Sequence, residues 1–294
     1  RADLDQRLED GRTPLPHQRS GARWLLARRG ALLADEMGLG KTLTVLLAAR
    51  ALLRVVPLRL MVIAPVGLHP HWLREVESLD LECTLHSWAK LPADLPEAGT
   101  LLVVDEAHYA QSLQAQRTQA LLRLARHPRL RAVWMLTGTP IRNGRPIQFF
   151  PLLAAMDHPL ARDQRSFEEI FCQGHWSEQG GQRRWRADGA TRLEELRRLT
   201  RPLVLHRRKQ QLLGLPAKQR RFQRVSLAAD QTLGFDHRLR LVVDDYRRRV
   251  RLGEVRSDAE SLAVLTSLRM IAAEFKLPAA ESLVERLRAD GEVI

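Results

Sequence analysis

The stretch Leu33-Ala34-Asp35-Glu36-Met37-Gly38-Leu39-Gly40-Lys41-Thr42 constrains the fold of this chain more than any other. It lies between a short apolar segment, Ala31 to Ala34, and an apolar, helix-prone run from Leu43 to Leu53. That succession predicts a strand, a tight loop and a helix start. Gly38 and Gly40 let backbone N–H groups approach an anion closely, and the helix N-terminus adds positive potential. Such a loop binds polyphosphate, with Lys41 reaching the β- and γ-phosphates and the Thr42 hydroxyl on Mg²⁺. The general phosphate-loop pattern opens on glycine; this chain has Asp35 there.

A second motif reinforces the first. Leu101-Leu102-Val103-Val104-Asp105-Glu106-Ala107-His108 reads as a buried strand ending in two carboxylates. Asp105 at the strand's end suits Mg²⁺, and Glu106 suits orienting and deprotonating an attacking water. An isolated Asp-Glu would also fit a solvated acidic turn. Paired with the glycine loop, it points to nucleotide hydrolysis.

Strands alternate with helices along the first half. Leu58 to Ala64, Thr84 to Trp88 and Ala132 to Leu136 read as strands, and the segments from His71 and from Leu113 to Ala125 as helices. This pattern predicts an α/β fold, a parallel sheet flanked by helices with ligands at the strands' carboxyl ends. Pro146 to Met156 reads as an apolar helix. Residues 158–202 are charged and richer in aromatics, and are expected to form a helical protrusion with loops. Residues 203–228 read as a return segment and linker, and 229–294 as helical, with a basic run at Arg247-Arg248-Arg249-Val250-Arg251 expected to be a solvated helix face. Trp176 and Trp185 read as packing residues of the protrusion. Gln18, just after Pro16, offers an amide that could pair with an adenine edge.

The net charge of +13 suggests a polyanionic partner such as nucleic acid. Of the 47 basic residues only five are lysine, so arginine-rich coding explains part of that excess equally well. Cys83 and Cys172 match no zinc or redox spacing and read as buried free thiols. No apolar run approaches the length of a membrane span, which sets membrane proteins aside. The chain starts at Arg1 rather than Met and ends on Gly291 to Ile294, which reads as a strand beginning, so a longer protein is expected.

Taken together, these motifs resemble the first RecA-like lobe of a Swi/Snf-family helicase-like ATPase of helicase superfamily two. Asp35 to Thr42 resembles the family's own nucleotide loop, the Asp included. Asp105-Glu106-Ala107-His108 resembles its second motif, Leu136-Thr137-Gly138-Thr139-Pro140 its third, and Leu15 to Gln18 its adenine-reading motif. Leu205 to Lys209 and Leu215-Pro216-x-Lys218 resemble its Arg-Arg-x-Lys and Leu-Pro-x-Lys elements. Residues 171–196 resemble the divergent branch containing annealing helicases and many bacterial members, which implies a cytoplasmic, nucleoid-associated bacterial protein. His17, where the family has an aromatic, and His71, where Asn precedes the Trp, depart from the pattern.

The resemblance implies a P-loop fold and an enzyme that hydrolyses ATP with Mg²⁺ and moves along double-stranded DNA. ATP would lie on Gln18 and on Asp35, Glu36, Met37, Gly38, Leu39, Gly40, Lys41 and Thr42, with Mg²⁺ on Thr42 and Asp105. Glu106 and Lys41 would be catalytic. His108, Thr137 and Thr139 would couple nucleotide state to DNA, which Ser87 and Trp88 would touch. A second RecA-like lobe would supply an arginine finger. The Arg207-Arg208-Lys209 cluster reads either as a DNA contact or as a return strand pairing with carboxylates of the lobe, the latter favoured by apolar Leu203-Val204-Leu205 beside it. Two rivals remain: an RNA helicase of the Asp-Glu-Ala-His type, and a non-catalytic nucleic-acid-binding scaffold.

Overall fold

In the computed structural model, each apolar run becomes a strand covered on both sides. The structure describes residues 10–95, 99–141, 144–214, 229–255 and 258–291, together with Leu4, Leu8, Arg224 and Leu227. In chain order the elements of the first part are α1 (Pro16–Leu26), β1 (Gly30–Leu33), α2 (Lys41–Leu53), β2 (Arg59–Ala64), α3 (His69–Glu77), β3 (Cys83–Ser87) and β4 (Thr100–Val104). Then follow α4 (Gln116–Ala125), β5 (Leu130–Leu136), α5 (Phe150–Ala155), α6 (Gln164–Phe171), β6 (His175–Gln179), β7 (Gln182–Arg186), α7 (Leu193–Thr200), β8 (Val204–Leu205) and α8 (Lys209–Leu212).

Six strands form one sheet in the order β3-β2-β4-β5-β1-β8, every neighbour parallel. A parallel sheet buries both faces, which is why its strands read as unbroken apolar runs. The two-residue period divides them. Leu32, Met61, Ile63, Leu102, Val104, Val133 and Met135 pack on one side against α4, α5 and α6. Ala31, Leu33, Leu60, Val62, Leu101, Val103, Trp134 and Leu136 pack on the other against α1, α2 and α3. The strands and helices expected between Ala31 and Met156 are present, to within a few residues at their ends, while the strand expected from Gly291 runs outside the described residues.

The order β4-β5-β1 positions the site. Leu33 pairs with Leu136, and Val104 with Met135, so the segments following all three strands emerge side by side at one edge. Ligands of open parallel sheets bind at that edge.

The protrusion differs from the expectation. It has helices α6 and α7, but between them β6 and β7 form an antiparallel hairpin. Gly180-Gly181 was its turn signal, both residues having positive φ. The flanking residues His-Trp-Ser-Glu-Gln and Gln-Arg-Arg-Trp-Arg carry no β-branched side chain and one Trp each, so the composition announces a strand only weakly. Cys172 is buried, its thiol pushed up to about 12 by burial, whereas Cys83 is only half-buried.

The chain divides into two compact units, Arg1–Pro216 and Ala217–Ile294. In the second, α9 (Ala229–Arg251) and α10 (Asp258–Ala289) run antiparallel, joined by Phe235 against Phe275 and by Arg238 to Glu274 at 2.7 Å. The basic run is a solvated, internally paired face: Arg247, Arg248 and Arg249 meet Asp244, Asp245 and Glu260. The Leu215-Pro216-x-Lys218 element lies outside the described residues. Among those described, no helix is long and apolar enough to cross a membrane.

Candidate nucleotide site

The loop after β1 turns through Gly38 at φ +84° and Gly40 at φ +71°, conformations open to glycine. A Cβ at Gly40 would also collide with the side-chain nitrogen of Gln18. Gly40 is the residue from which α2 starts, so Lys41 stands at that helix's first position. The Lys41 ammonium donates to the Asp35 carbonyl oxygen at 2.8 Å. Burial lowers its pKa from the ordinary lysine value, against the pull of Glu106, Asp105 and Asp35. A partly desolvated cation at a helix start calls for an anion. Thr42 follows it, half-buried, its hydroxyl without a hydrogen-bond partner among the described residues.

Asp35, where the general pattern has glycine, is wholly buried and accepts both arms of the Arg207 guanidinium, Nε at 3.0 Å and Nη2 at 2.5 Å. Arg207 Nη1 also donates to the His17 carbonyl at 2.6 Å and to Ser20 Oγ at 3.1 Å. The Glu36 carboxylate accepts from the Lys209 backbone N–H at 2.7 Å. The ladder with β8 continues into the loop, Ala34 N–H donating to Leu205 and Glu36 N–H to Arg207. The side chains of Asp35 and Glu36 therefore turn to the return strand rather than towards a phosphate, and they shape the loop instead. Arg207 pairs with the lobe's own Asp35 and the Lys209 backbone N–H with Glu36, which agrees with the structural reading of that cluster.

Gln18 and His17 lie under the loop. Gln18 Oε1 accepts the Leu15 backbone N–H at 2.9 Å, leaving its amide nitrogen beside Gly40. His17 is buried and its Nε2 meets the Leu39 carbonyl at 3.0 Å, which requires the proton on that nitrogen. His17 thus holds the loop backbone. Met37 and Leu39 complete the turn, Met37 exposed beside Gly138 and Leu39 buried.

The acidic pair is held by two indoles. Asp105 Oδ2 accepts from Trp72 Nε1 at 2.8 Å, and Oδ1 from the Glu106 backbone N–H at 2.8 Å. Trp88 Nε1 donates to the Asp105 carbonyl at 3.0 Å. Burial raises the Asp105 pKa, while the Trp72 and Glu106 donors pull it down. Glu106 sits in the left-handed region at φ +48°, a backbone state that costs energy at a non-glycine residue and concentrates at functional sites. Its carboxylate lies 2.9 Å from His108 Nδ1, which also lies 3.2 Å from Thr137 Oγ1. Thr137 Oγ1 in turn accepts from the Thr139 backbone N–H at 3.1 Å. The structure thus brings Glu106, His108, Thr137 and Thr139 into one chain of contacts.

Trp72→Phe removes the donor to a buried carboxylate and is expected to cost about 1.5–3 kcal/mol in urea unfolding at neutral pH. A carboxyl whose folded pKa is raised is strained when ionised, so donors matter most above that pKa. The penalty of Trp72→Phe should therefore shrink as pH falls from the variant's still higher folded pKa through that of the parent, below which Asp105 is protonated in both folded proteins. A pH-independent penalty would mean that Trp72 acts by packing alone.

The pair expected to touch DNA divides. Ser87 ends edge strand β3 and is half-buried, opposite Ala64. Trp88 is buried with its indole N–H committed to the Asp105 carbonyl, so it braces the acidic pair. Trp72 and Arg207 were not among the expected site residues. Arg207 could be suspected from the unusual Asp35, and Trp72 from the family pattern in which an Asn precedes that Trp.

Among the described residues no group of three or more His, Cys, Asp or Glu could enclose a metal ion. That suits Mg²⁺, which keeps several waters and takes one or two protein oxygens plus substrate phosphates. Thr42 and Asp105 fit that donor set.

A sequence family described as the SNF2-related domain matches residues 17–88 and 93–276. Human "DNA annealing helicase and endonuclease ZRANB3" is 30% identical over 241 residues, 70% of this chain and 22% of that protein. The Xenopus tropicalis "SWI/SNF-related matrix-associated actin-dependent regulator of chromatin subfamily A-like protein 1" is 26% identical over 246 residues, 75% of this chain and 25% of that protein. Among solved structures, the "Sulfolobus solfataricus SWI2/SNF2 ATPase core in complex with dsDNA" aligns with a TM-score of 0.57 at 18% identity, covering 98% of this chain and 66% of that one. The sheet and its flanking helices thus have the RecA-like fold of that core. The chain spans only about a quarter of the curated relatives it matches, and these animal proteins lend no support to a bacterial origin.

Proposed function

The chain belongs to the SNF2-related domain family, and from that premise we propose that it is the ATP-binding lobe of a DNA-dependent ATPase that moves along double-stranded DNA. One observation carries most of the weight: Lys41, Thr42, Asp105 and Glu106 stand just past strand ends separated only by β5. Loss of function would rarely spare all four, which disfavours a non-catalytic scaffold. The third motif, Thr137-Gly138-Thr139, and the Arg207–Asp35 contact favour this family over an RNA helicase.

In this reading the backbone N–H groups of the loop and Lys41 bind the β- and γ-phosphates of ATP, and Gln18 meets the base. Thr42 and Asp105 would hold Mg²⁺, which would supply positive charge to offset that of the transferring phosphate. Glu106 orients the attacking water and accepts its proton. His108 touches both Glu106 and Thr137, so a change at either end shifts the other. Ser87, at the edge of the sheet, is proposed to meet a DNA phosphate.

Full activity is proposed to need a second RecA-like lobe. A finger arginine contributes about 10³–10⁵ in rate in related phosphoryl transfers, so these 294 residues produced alone should bind nucleotide weakly and hydrolyse it slowly. The test is ATP turnover of the isolated lobe and of a longer form carrying both lobes, each with duplex DNA, single-stranded RNA or neither. Stimulation of the longer form by duplex DNA is the expected result. Preference for RNA would favour the rival enzyme, and full DNA-stimulated turnover by the isolated lobe would remove the need for a partner lobe.

A further inference from the structure

The hairpin β6–β7, which the nucleotide site does not use, leaves a large ring in solvent beside a row of guanidinium groups. Trp176 and Trp185 stand directly opposite each other, ring centroids 5.7 Å apart and nearly perpendicular. Trp185 is the anchor. Its Nε1 donates to Glu168 on α6 at 2.5 Å, the Arg165 guanidinium lies 3.0 Å over its ring, and a Cβ at Gly174 would collide with it.

Trp176 is different. It is 52% exposed, with Arg165 at 5.1 Å and Arg183 at 5.3 Å from its ring. An isolated two-stranded hairpin is marginal in water. Here Trp185 and the Gly180-Gly181 turn already fix it to α6, so the half-solvated second indole is surplus to that task. The pleat sets Arg183 on the tryptophan face and Arg184 and Arg186 on the other. Glu178 is the one acid in the two strands, against three arginines. Arg184 is exposed, and its guanidinium donates to Gln182 at 3.2 Å.

We infer that this hairpin is a contact for single-stranded DNA, with Trp176 stacking on an unpaired base and Arg183, on the same face, meeting a flanking phosphate. A ring flanked by guanidinium groups matches the base and backbone of a nucleotide together, and base–aromatic stacking is indifferent to sequence. Bases inside a closed duplex are covered on both faces by their neighbours. An exposed indole therefore selects the unpaired strand or the tail of a branched end. An acidic protein surface would engage the arginines but gain little from the ring. The inference rests on the DNA reading above and adds the form of DNA that this part of the lobe prefers.

Fluorescence anisotropy with the 294-residue chain tests it, using one labelled sequence as a single strand, a blunt duplex and a duplex with a single-stranded tail. The parent should bind the tailed duplex more tightly than the blunt one. Trp176→Ala should weaken binding to the single strand and the tailed duplex by about fivefold or more, leave the blunt duplex unchanged, and be largely rescued by Trp176→Phe. Arg183→Ala should reduce the salt dependence on the single strand by about 0.7 in log–log slope. If the parent binds blunt duplex but a tail adds nothing, or if Trp176→Ala loses as much on the blunt form, the hairpin inference fails alone. If the parent binds no DNA, the broader reading fails with it. Should Trp176→Ala melt early, the charge reversal Arg183→Glu carries the test, and unchanged single-strand affinity in that variant overturns the inference.

Discussion

Arg207→Ala is expected to cost about 3–5 kcal/mol in urea unfolding, as much as emptying a large core position. The reason is the partner left behind. Asp35 has no solvent-exposed surface, and both its oxygens are met by Arg207, whose own side chain is 15% exposed. Without the guanidinium, a carboxylate stays buried beside the phosphate loop with no cation in contact. Asp35→Gly, which restores the general loop pattern, should cost less. The freed Arg207 still has the His17 carbonyl and Ser20 hydroxyl to donate to, and it lies closer to water. Asp35→Asn combined with Arg207→Met leaves neither charge buried and should recover most of the loss. A cost within about 1 kcal/mol for Arg207→Ala alone would show that Asp35 finds water or another partner, and the proposed role of this pair would be wrong.

Lys41→Ala should have the opposite profile: little change in folding, with ATP turnover of the longer, two-lobed form reduced by at least about 10²–10³. The half-buried Lys41 ammonium donates to a single backbone oxygen, so the fold gains little from it. What it offers is positive charge at a helix start, partly stripped of water, where phosphate charge develops during transfer. The check pairs a thermal melt with steady-state turnover. Normal turnover in a well-folded Lys41→Ala protein would mean that Lys41 does not act on the phosphates, and the proposed site would be wrong.

The sheet was legible because a parallel sheet needs strands apolar on both faces, and Leu101 to Val104 and Ala132 to Leu136 can be little else. The phosphate loop was legible because its glycines, lysine and threonine act within a few residues of one another. Contacts between distant segments were not. That Asp35 serves the return strand, that Trp72 and Trp88 hold Asp105, and that His17 grips Leu39 depend on which segments the sheet order brings together. Local spacing does not encode that. The hairpin was missed for a different reason: it is held by indole and guanidinium contacts rather than by β-branched residues, so its composition resembles a charged loop.

The bridge from Asp35 to Arg207 joins residues 172 positions apart. During synthesis the phosphate loop leaves the ribosome long before β8 exists. Until Arg207 emerges, the Asp35 carboxylate has to remain wet or protonated, and the loop stays unsealed. The final geometry of the loop is therefore a late event in the maturation of this unit, and a nascent chain halted before Arg207 should expose the loop to proteases that the finished lobe resists.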